Sequence, residues 1–160
     1  MDAIPTDMTP RPLRAEEVPL IAPLLRQTNA EVSDIELEAD LRRSQASWPS
    51  LQLVVDVEGR LAGLVAGRVD SKDPTLGWSD DLVVEVDFRG RGLGDALIDA
   101  QLDAFRGLGC VRVRGLSPQS LVAQVSFFER HGFRVIAEER AHHLWGVREG
   151  ETLFVTERRL

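Results

Sequence analysis

Apolar and polar positions along this chain change period several times, and each change predicts an element. Residues 12–14 read as a short first strand. Val18, Ile21, Leu24 and Leu25 recur at helical spacing and predict a helix over residues 15–27. Pro19 falls in its first turn, where proline is tolerated; Pro23 lies deeper and should kink or shorten it. Ser33 with Glu36 has the form of a capping box and predicts a second helix over residues 34–46, with Ile35, Leu37 and Leu41 on its apolar side. Trp48-Pro49-Ser50 ends it. Residues 51–57 and 61–69 are rich in leucine and valine and flank the turn Glu58-Gly59-Arg60, a hairpin signal. A polar loop over 71–77 leads into a third long strand over 78–86. Residues 92–107 carry a broad apolar stripe, Leu93, Leu97, Ile98, Leu102 and Phe105 among it, and predict a mostly buried helix. A strand over 110–114, a helix over 119–131 closed by Gly132, a strand over 133–138, a loop over 141–151 and a strand over 152–159 complete the chain.

That order predicts an α/β (α+β) domain. Helices cover both faces of a mixed, mostly antiparallel central sheet, with one parallel crossover through the helix over 92–107. A single domain over residues 11–160 is expected, preceded by a flexible tail over 1–10. A chain of 160 residues is long enough to bury its own core without staples.

Charge narrows the partners. The net charge of −7 argues against general binding of nucleic acid or of a membrane surface. No apolar run reaches the roughly 18–20 residues of a membrane span. Residues 1–10 lack the charged and apolar regions of a signal peptide, so cytoplasmic residence is expected. Cys110 is the lone cysteine, which excludes an internal disulfide and a multi-cysteine metal site; it reads as a buried thiol. His142 and His143 have no third ligand spaced near them, so no metal is expected. Lys72 is the lone lysine; the other cations are arginines, whose planar fork suits phosphate.

The chemistry concentrates where the third strand meets the helix, at Arg89-Gly90-Arg91-Gly92-Leu93-Gly94. The first N–H groups of a helix have no helical acceptor, and the helix dipole places partial positive charge there. Glycines let a diphosphate approach such a turn closely, and Arg89 and Arg91 add charge. A P-loop is excluded, because the stretch has no lysine. The dinucleotide fingerprint is excluded too: a frame from Gly90 puts Asp95 at its third glycine, and one from Gly92 puts Leu97 there.

Arg89-x-x-Gly92-x-Gly94 resembles the Arg/Gln-x-x-Gly-x-Gly/Ala signature of the GNAT superfamily of N-acetyltransferases. Val84-x-Val86 sits where that family has its Val-x-Pro strand end. Downstream, Phe127-Phe128-Glu129-Arg130-His131-Gly132-Phe133 is similar to its late Phe-Tyr-Glu-x-x-Gly-Phe segment. The resemblance covers roughly residues 51–160. It implies acetyl-CoA as co-substrate, held in a cleft where two parallel strands, 78–86 and 110–114, splay apart. It implies pantetheine pairing along the backbone of Val84, Glu85 and Val86, and diphosphate contacts at Arg89, Gly90, Arg91, Gly92, Leu93 and Gly94. Phe128 would pack near the cofactor thiol. A primary amine, of a small molecule or a peptide, would attack the thioester directly.

Two departures bear on mechanism. Val86 replaces the family's proline. The chain has no tyrosine, and Phe128 occupies the position from which many relatives protonate the departing thiolate; a phenyl ring has no proton to give. An amine acceptor must itself lose a proton before attack. Asp80 and Asp81 are the candidate bases, with Glu85 the weakest of the nearby carboxylates. Regular alternation sets Asp80 on a different face from Asp81 and Glu85. His131 reads as a helix-end residue. The acidic residues Asp80 and Asp81, with Glu31, Asp34, Glu36, Glu38 and Asp40, suggest a cationic acceptor. The competing readings are a catalytically silent acyl-CoA-binding domain and an interaction module whose turn binds nothing. A homodimer stays open as the assembly.

Overall fold

The computed structural model describes residues 8–142, 144 and 147–160. Its elements are β1 (Arg11–Pro12), α1 (Val18–Leu25), α2 (Asp34–Ser47), β2 (Leu53–Val57), β3 (Arg60–Val69), β4 (Leu76–Val84), α3 (Leu93–Gly107), β5 (Arg112–Pro118), α4 (Val122–Arg130), β6 (Arg134–Arg140) and β7 (Thr152–Arg159). The strands form one sheet in the order β1-β2-β3-β4-β5-β7-β6. Every pairing is antiparallel except that of β4 with β5, which α3 connects. The mixed, mostly antiparallel sheet with a single parallel crossover is therefore present. Most of the expected tail, residues 1–7, lies outside the described residues, as do His143 and Trp145.

Alternation along the central strands sorts the core into two sides. Val54, Leu64, Ala66 and Val83 pack with Ile21, Leu25, Leu37 and Leu41 of α1 and α2. Leu53, Val55 and Val65 point the other way, onto Leu93 and Leu97 of α3. Farther along, Ile98, Leu102 and Phe105 of α3 meet Phe128 and Phe133 around α4. The helices thus lie on both faces, two to a side. Among the described residues no helix is long and apolar enough to cross a membrane.

Local chemistry fixes the ends. Ser33 Oγ accepts from the Glu36 N–H at 3.3 Å, and Glu36 answers to the Ser33 N–H at 3.4 Å, completing the capping box of α2. Glu58 and Gly59, with φ of 53° and 75°, make the two-residue turn of the β2–β3 hairpin. Pro23 stays inside α1, which ends two residues later at Leu25 rather than near residue 27.

Several boundaries differ from the sequence expectation. Ile35 is 81% exposed: two positions before Leu37 is about 200° around a helix, so it leaves the face that Leu37 and Leu41 bury. β4 ends at Val84, and Val86 falls in a short helical turn, Val86–Phe88. β5 begins at Arg112 and runs on to Pro118, well past residue 114.

Candidate active site

Two strands that start together and part create the site. β4 and β5 pair only at Leu76, Gly77 and Trp78, opposite Arg112, Val113 and Arg114. β4 then continues to Val84 and β5 to Pro118 without pairing, so the pair is splayed. On its other edge β4 follows β3 through a bulge: Ala66 faces Asp81 and Gly67 faces Ser79, leaving Asp80 as the extra residue. A bulge bends its strand and re-aims side chains. Ser79 points to the α3 side, where its hydroxyl donates to Gln101 Oε1 at 2.7 Å, and Gln101 in turn donates to the Leu51 carbonyl at 3.0 Å. This buried amide relay holds β4 at the point of separation, because leaving those groups unpaired would be costly.

The opening holds a cleft of about 880 Å³. Its near wall is the end of β4, including Leu82 and Val84, and its floor is the glycine turn. Its far wall is Leu116, Pro118 and the start of α4, with Phe127 and Phe128. Gly90 and Gly92 each have φ of 80°, a conformation that costs side-chain-bearing residues. Gly92 is the N-cap of α3, and no side chain caps the first turn. The first helical bond, Ala96 N–H to Gly92 carbonyl at 3.1 Å, leaves the N–H groups of Leu93, Gly94 and Asp95 without helical acceptors. A diphosphate fits that requirement: it supplies acceptors and negative charge where donors and the positive end of a dipole are open.

The expected contacts divide. Val84, Arg89, Gly90, Gly92, Leu93, Gly94 and Phe128 line the cleft; Glu85, Val86 and Arg91 do not. Glu85 caps the turn after β4, its carboxylate accepting from the Asp87 N–H at 3.1 Å. Arg89 donates from Nε to the Val84 carbonyl at 3.0 Å and from Nη2 to Gln27 Oε1 at 3.0 Å, so it braces the turn against the segment that follows α1. The Arg91 guanidinium lies 5.2 Å over the Phe88 ring. The backbone of the turn is thus its principal offering to an anion.

A second cavity of about 360 Å³ adjoins the first. Asn29, Ser79, Asp80, Asp81, Leu116, Pro118 and Val147 line both, while Asp40, Arg43, Leu144 and Leu153 line only the smaller one. The two candidate bases therefore stand where the cavities meet. The bulge, which regular alternation did not anticipate, brings Asp80 and Asp81 to the same α1–α2 side. Asp80 keeps 37% of its side-chain surface, but that surface opens on the concave cleft, so removal from bulk water still dominates its chemistry. Burial raises Asp80 to about 7, with Arg68 opposing and Asp81 and Asp40 reinforcing. Burial and then Asp40 raise Asp81 to about 6. Such displaced carboxylates in a cleft make it a candidate functional site.

The family model described as acetyltransferase (GNAT) domain matches residues 49–135. The chain belongs to the GNAT acetyltransferase family. Two curated relatives are named as acetyltransferases. An acetyltransferase of Pectobacterium atrosepticum is 29% identical over 99 residues, covering 62% of this chain and 68% of that one. An acetyltransferase of Photorhabdus laumondii is 28% identical over 112 residues, covering 66% and 76%. Solved structures share the fold. Ard1 from Thermoplasma volcanium aligns with a TM-score of 0.82 at 20% identity, over 95% of this chain and 97% of that one. yncA, a putative acetyltransferase from Salmonella typhimurium solved with its cofactor acetyl-CoA, aligns at 0.78 and 18% identity, over 95% and 93%.

Within this GNAT frame, sequence reasoning missed the wall formed by Leu116, Pro118 and residues 120–124. The signal was there: Gly115-Leu116-Ser117-Pro118 continues the strand's alternation until proline stops it. Asn29 was also missed. It is buried four residues beyond α1, its amide donating back to the carbonyl of the helix's last residue, Leu25, at 3.0 Å.

Proposed function

We propose that this acetyltransferase moves the acetyl group of acetyl-CoA to a primary amine of a small molecule or peptide, by direct attack on the thioester. One observation carries the reading: the cleft over the glycine turn and the smaller acidic cavity beside α2 meet at Asp80 and Asp81. A donor in one and an acceptor in the other converge on groups able to take a proton, and that convergence is what an acyl transfer needs. The acetyl-CoA in the yncA structure supports the same choice of co-substrate.

Bound acetyl-CoA supplies the activated thioester. The open N–H groups at the start of α3 hold its diphosphate, and the unpaired edge of β4 beyond Trp78 offers backbone partners to an extended chain. Asp80 or Asp81 takes the proton of the incoming ammonium, directly or through one water; values of about 7 and 6 bring these carboxylates close to the operating pH of such a transfer. Phe128 shapes the cleft and donates nothing, so the thiolate departs without a phenol's help. A thiol's ordinary pKa of about 8.5 makes that departure tolerable. The carboxylates of Asp40, Asp80 and Asp81 favour an acceptor that arrives as a cation.

Calorimetry with acetyl-CoA, followed by free-thiol release across a panel of amines, tests this. Binding and amine-dependent release are expected. Binding without release by any amine would favour the silent acyl-CoA-binding domain, which the missing tyrosine keeps in view. Absence of binding would remove both.

A further inference from the structure

We infer that Arg68 is a positioning residue, which fixes the geometry and charge state of the Asp80 carboxylate through a relay that begins at Asp70. The inference rests on the reading of Asp80 as the base. Asp80 is the extra residue of the β4 bulge, so the ladder with β3 does not set its direction. Arg68 does: its Nε lies 3.2 Å from Asp80 Oδ2. Arg68 is itself held. It stands opposite Trp78 in the β3–β4 register, and its guanidinium lies 5.3 Å from the centre of the indole ring. The indole N–H donates to Asp70 Oδ1 at 3.0 Å. Asp70 is anchored in the β3–β4 turn, where Oδ2 accepts the N–H groups of Lys72 and Asp73, each at 3.0 Å.

The charged groups facing Asp80 come from three elements. Arg68 belongs to β3, Asp81 to Asp80's own strand, and Asp40 to α2, where Arg43 sits 3.2 Å from Asp40 on the wall of the same cavity. Arg68 alone among them pairs with Asp80 among the described residues, and Asp81 has no such partner. The two neighbouring carboxylates therefore differ in kind: Asp80 is oriented by a fork that is fixed from behind, and Asp81 is not. A base must point along the line of proton transfer, so the oriented carboxylate is the one suited to the task. The cation also keeps Asp80 ionised to a lower pH than its burial alone would permit.

The test is a titration of the carboxyl carbons by NMR in wild type, Asp80→Asn, Arg68→Gln and Arg68→Lys, none of which needs the acceptor to be known. Asp80→Asn is expected to delete a titration near 7, and Arg68→Gln to move that titration upward by about one unit, roughly a tenfold loss of carboxylate at a fixed lower pH. Arg68→Lys keeps the charge and should restore most of the shift. With acetyl-CoA and the best amine of the panel, the acid limb of kcat/KM should follow the same displacement. A merely structural arginine would lower the rate at every pH and leave both the titration and the limb in place, which overturns the role of Arg68. Trp78→Phe, which removes the tether to Asp70 and weakens the aromatic face under Arg68, provides a second variant should Arg68→Gln fold poorly. It should move the titration the same way by less, and no movement overturns the relay. Asp80→Asn with unchanged thiol release overturns the base reading itself; release lost in Asp80→Asn beside an unmoved limb in Arg68→Gln overturns only the role of Arg68.

Discussion

His131 Nε2 stands 2.7 Å from Asp95 Oδ1, tying the end of α4 to the first turn of α3. Its Nδ1 faces Asp99 Oδ1 at 3.3 Å, one turn farther along the same helix. Sequence reasoning had His131 as a helix-end residue only. It does close α4, but its ring also spans the two helices that wall the cleft, with its centre 4.7 Å from that of the Phe127 ring and tilted against it. In either tautomer, one ring N–H faces a carboxylate. His131→Ala should cost about 1 kcal/mol, or about 2–4 °C in Tm for a domain of this size. It should also weaken acetyl-CoA binding, because Asp95 lines the cleft at the turn proposed to hold the diphosphate. Thermal melts with and without acetyl-CoA check both, and unchanged binding would confine His131 to stability.

A second prediction concerns the turn. Gly92 has φ of 80°, and a Cβ built there meets nothing within 4 Å. The chain therefore asks for glycine through its backbone conformation and not through lack of room. Gly92→Val should disturb the turn by about 1–2 kcal/mol and lower acetyl-CoA affinity far more than Arg91→Ala, since Arg91 lies over the Phe88 ring and does not itself line the cleft. Equal affinity of Gly92→Val and wild type by calorimetry would refute a backbone grip.

Much of this was legible. The capping box of α2, the hairpin turn at Glu58 and Gly59, the stripe of α3 and the motif at residues 89–94 are local signals, each written in a few adjacent residues. What stayed hidden depends on pairs distant in sequence. The bulge at Asp80 exists because β3 and β4 fall out of register between Ala66 and Gly67, which no pattern within β4 reveals. The guanidinium of Arg89 looked free for phosphate, yet it turns back onto Val84 and Gln27, the latter 62 positions away. The exposure of Ile35 could have been read, since its angle on the helix wheel already separates it from Leu37.

The displaced carboxylates predict opposite responses of stability and activity to pH. Asp80 sits near 7 in the fold against about 3.9 in the unfolded chain. Between those values the native state holds more protons, so stability falls as pH rises, and the full cost is present above the folded value. Asp81, raised to about 6, acts with the same sign over a narrower window. Asp80→Asn removes the larger of these titrations, so its Tm relative to wild type should improve from about pH 5 to about pH 8. Activity runs the other way, requiring the ionised base and falling as pH drops through about 7. A Tm difference that is flat with pH would contradict the displacement.

Phe128 offers a prediction about the missing phenol. It is buried, with its ring 5.5 Å from Phe127 and 5.1 Å from Phe133 in edge-on contacts. Phe128→Leu should destabilise by about 1 kcal/mol through lost packing, with turnover following binding. Phe128→Tyr should keep acetyl-CoA binding and raise turnover if protonation of the leaving thiolate limits the rate. Loss of turnover alone in Phe128→Leu, with binding and Tm intact, would assign the ring a direct part in the reaction.

The last prediction concerns the acceptor's charge. Asp40, Asp80 and Asp81 line the smaller cavity, with Arg43 as the cation on its wall, and the whole chain carries a net charge of −7. A cationic amine would be drawn toward such a mouth over distances that salt controls. The screening length is about 8 Å at physiological ionic strength, so long-range steering should fade as salt rises while contacts inside the cavity persist. For the best amine of the panel, kcat/KM should fall with salt chiefly through KM. The double variant Asp80→Asn/Asp81→Asn should lose kcat because the base is gone, and Asp40→Asn, compared at a pH above the acid limb because Asp40 also raises both carboxylates, should raise KM while leaving kcat nearly intact. That split separates attraction from chemistry, since Asp40 lines only the acceptor side and Asp80 stands at the junction. A best substrate that is anionic, or a KM indifferent to both salt and Asp40→Asn, would reject the cationic acceptor and leave the acetyl transfer itself standing.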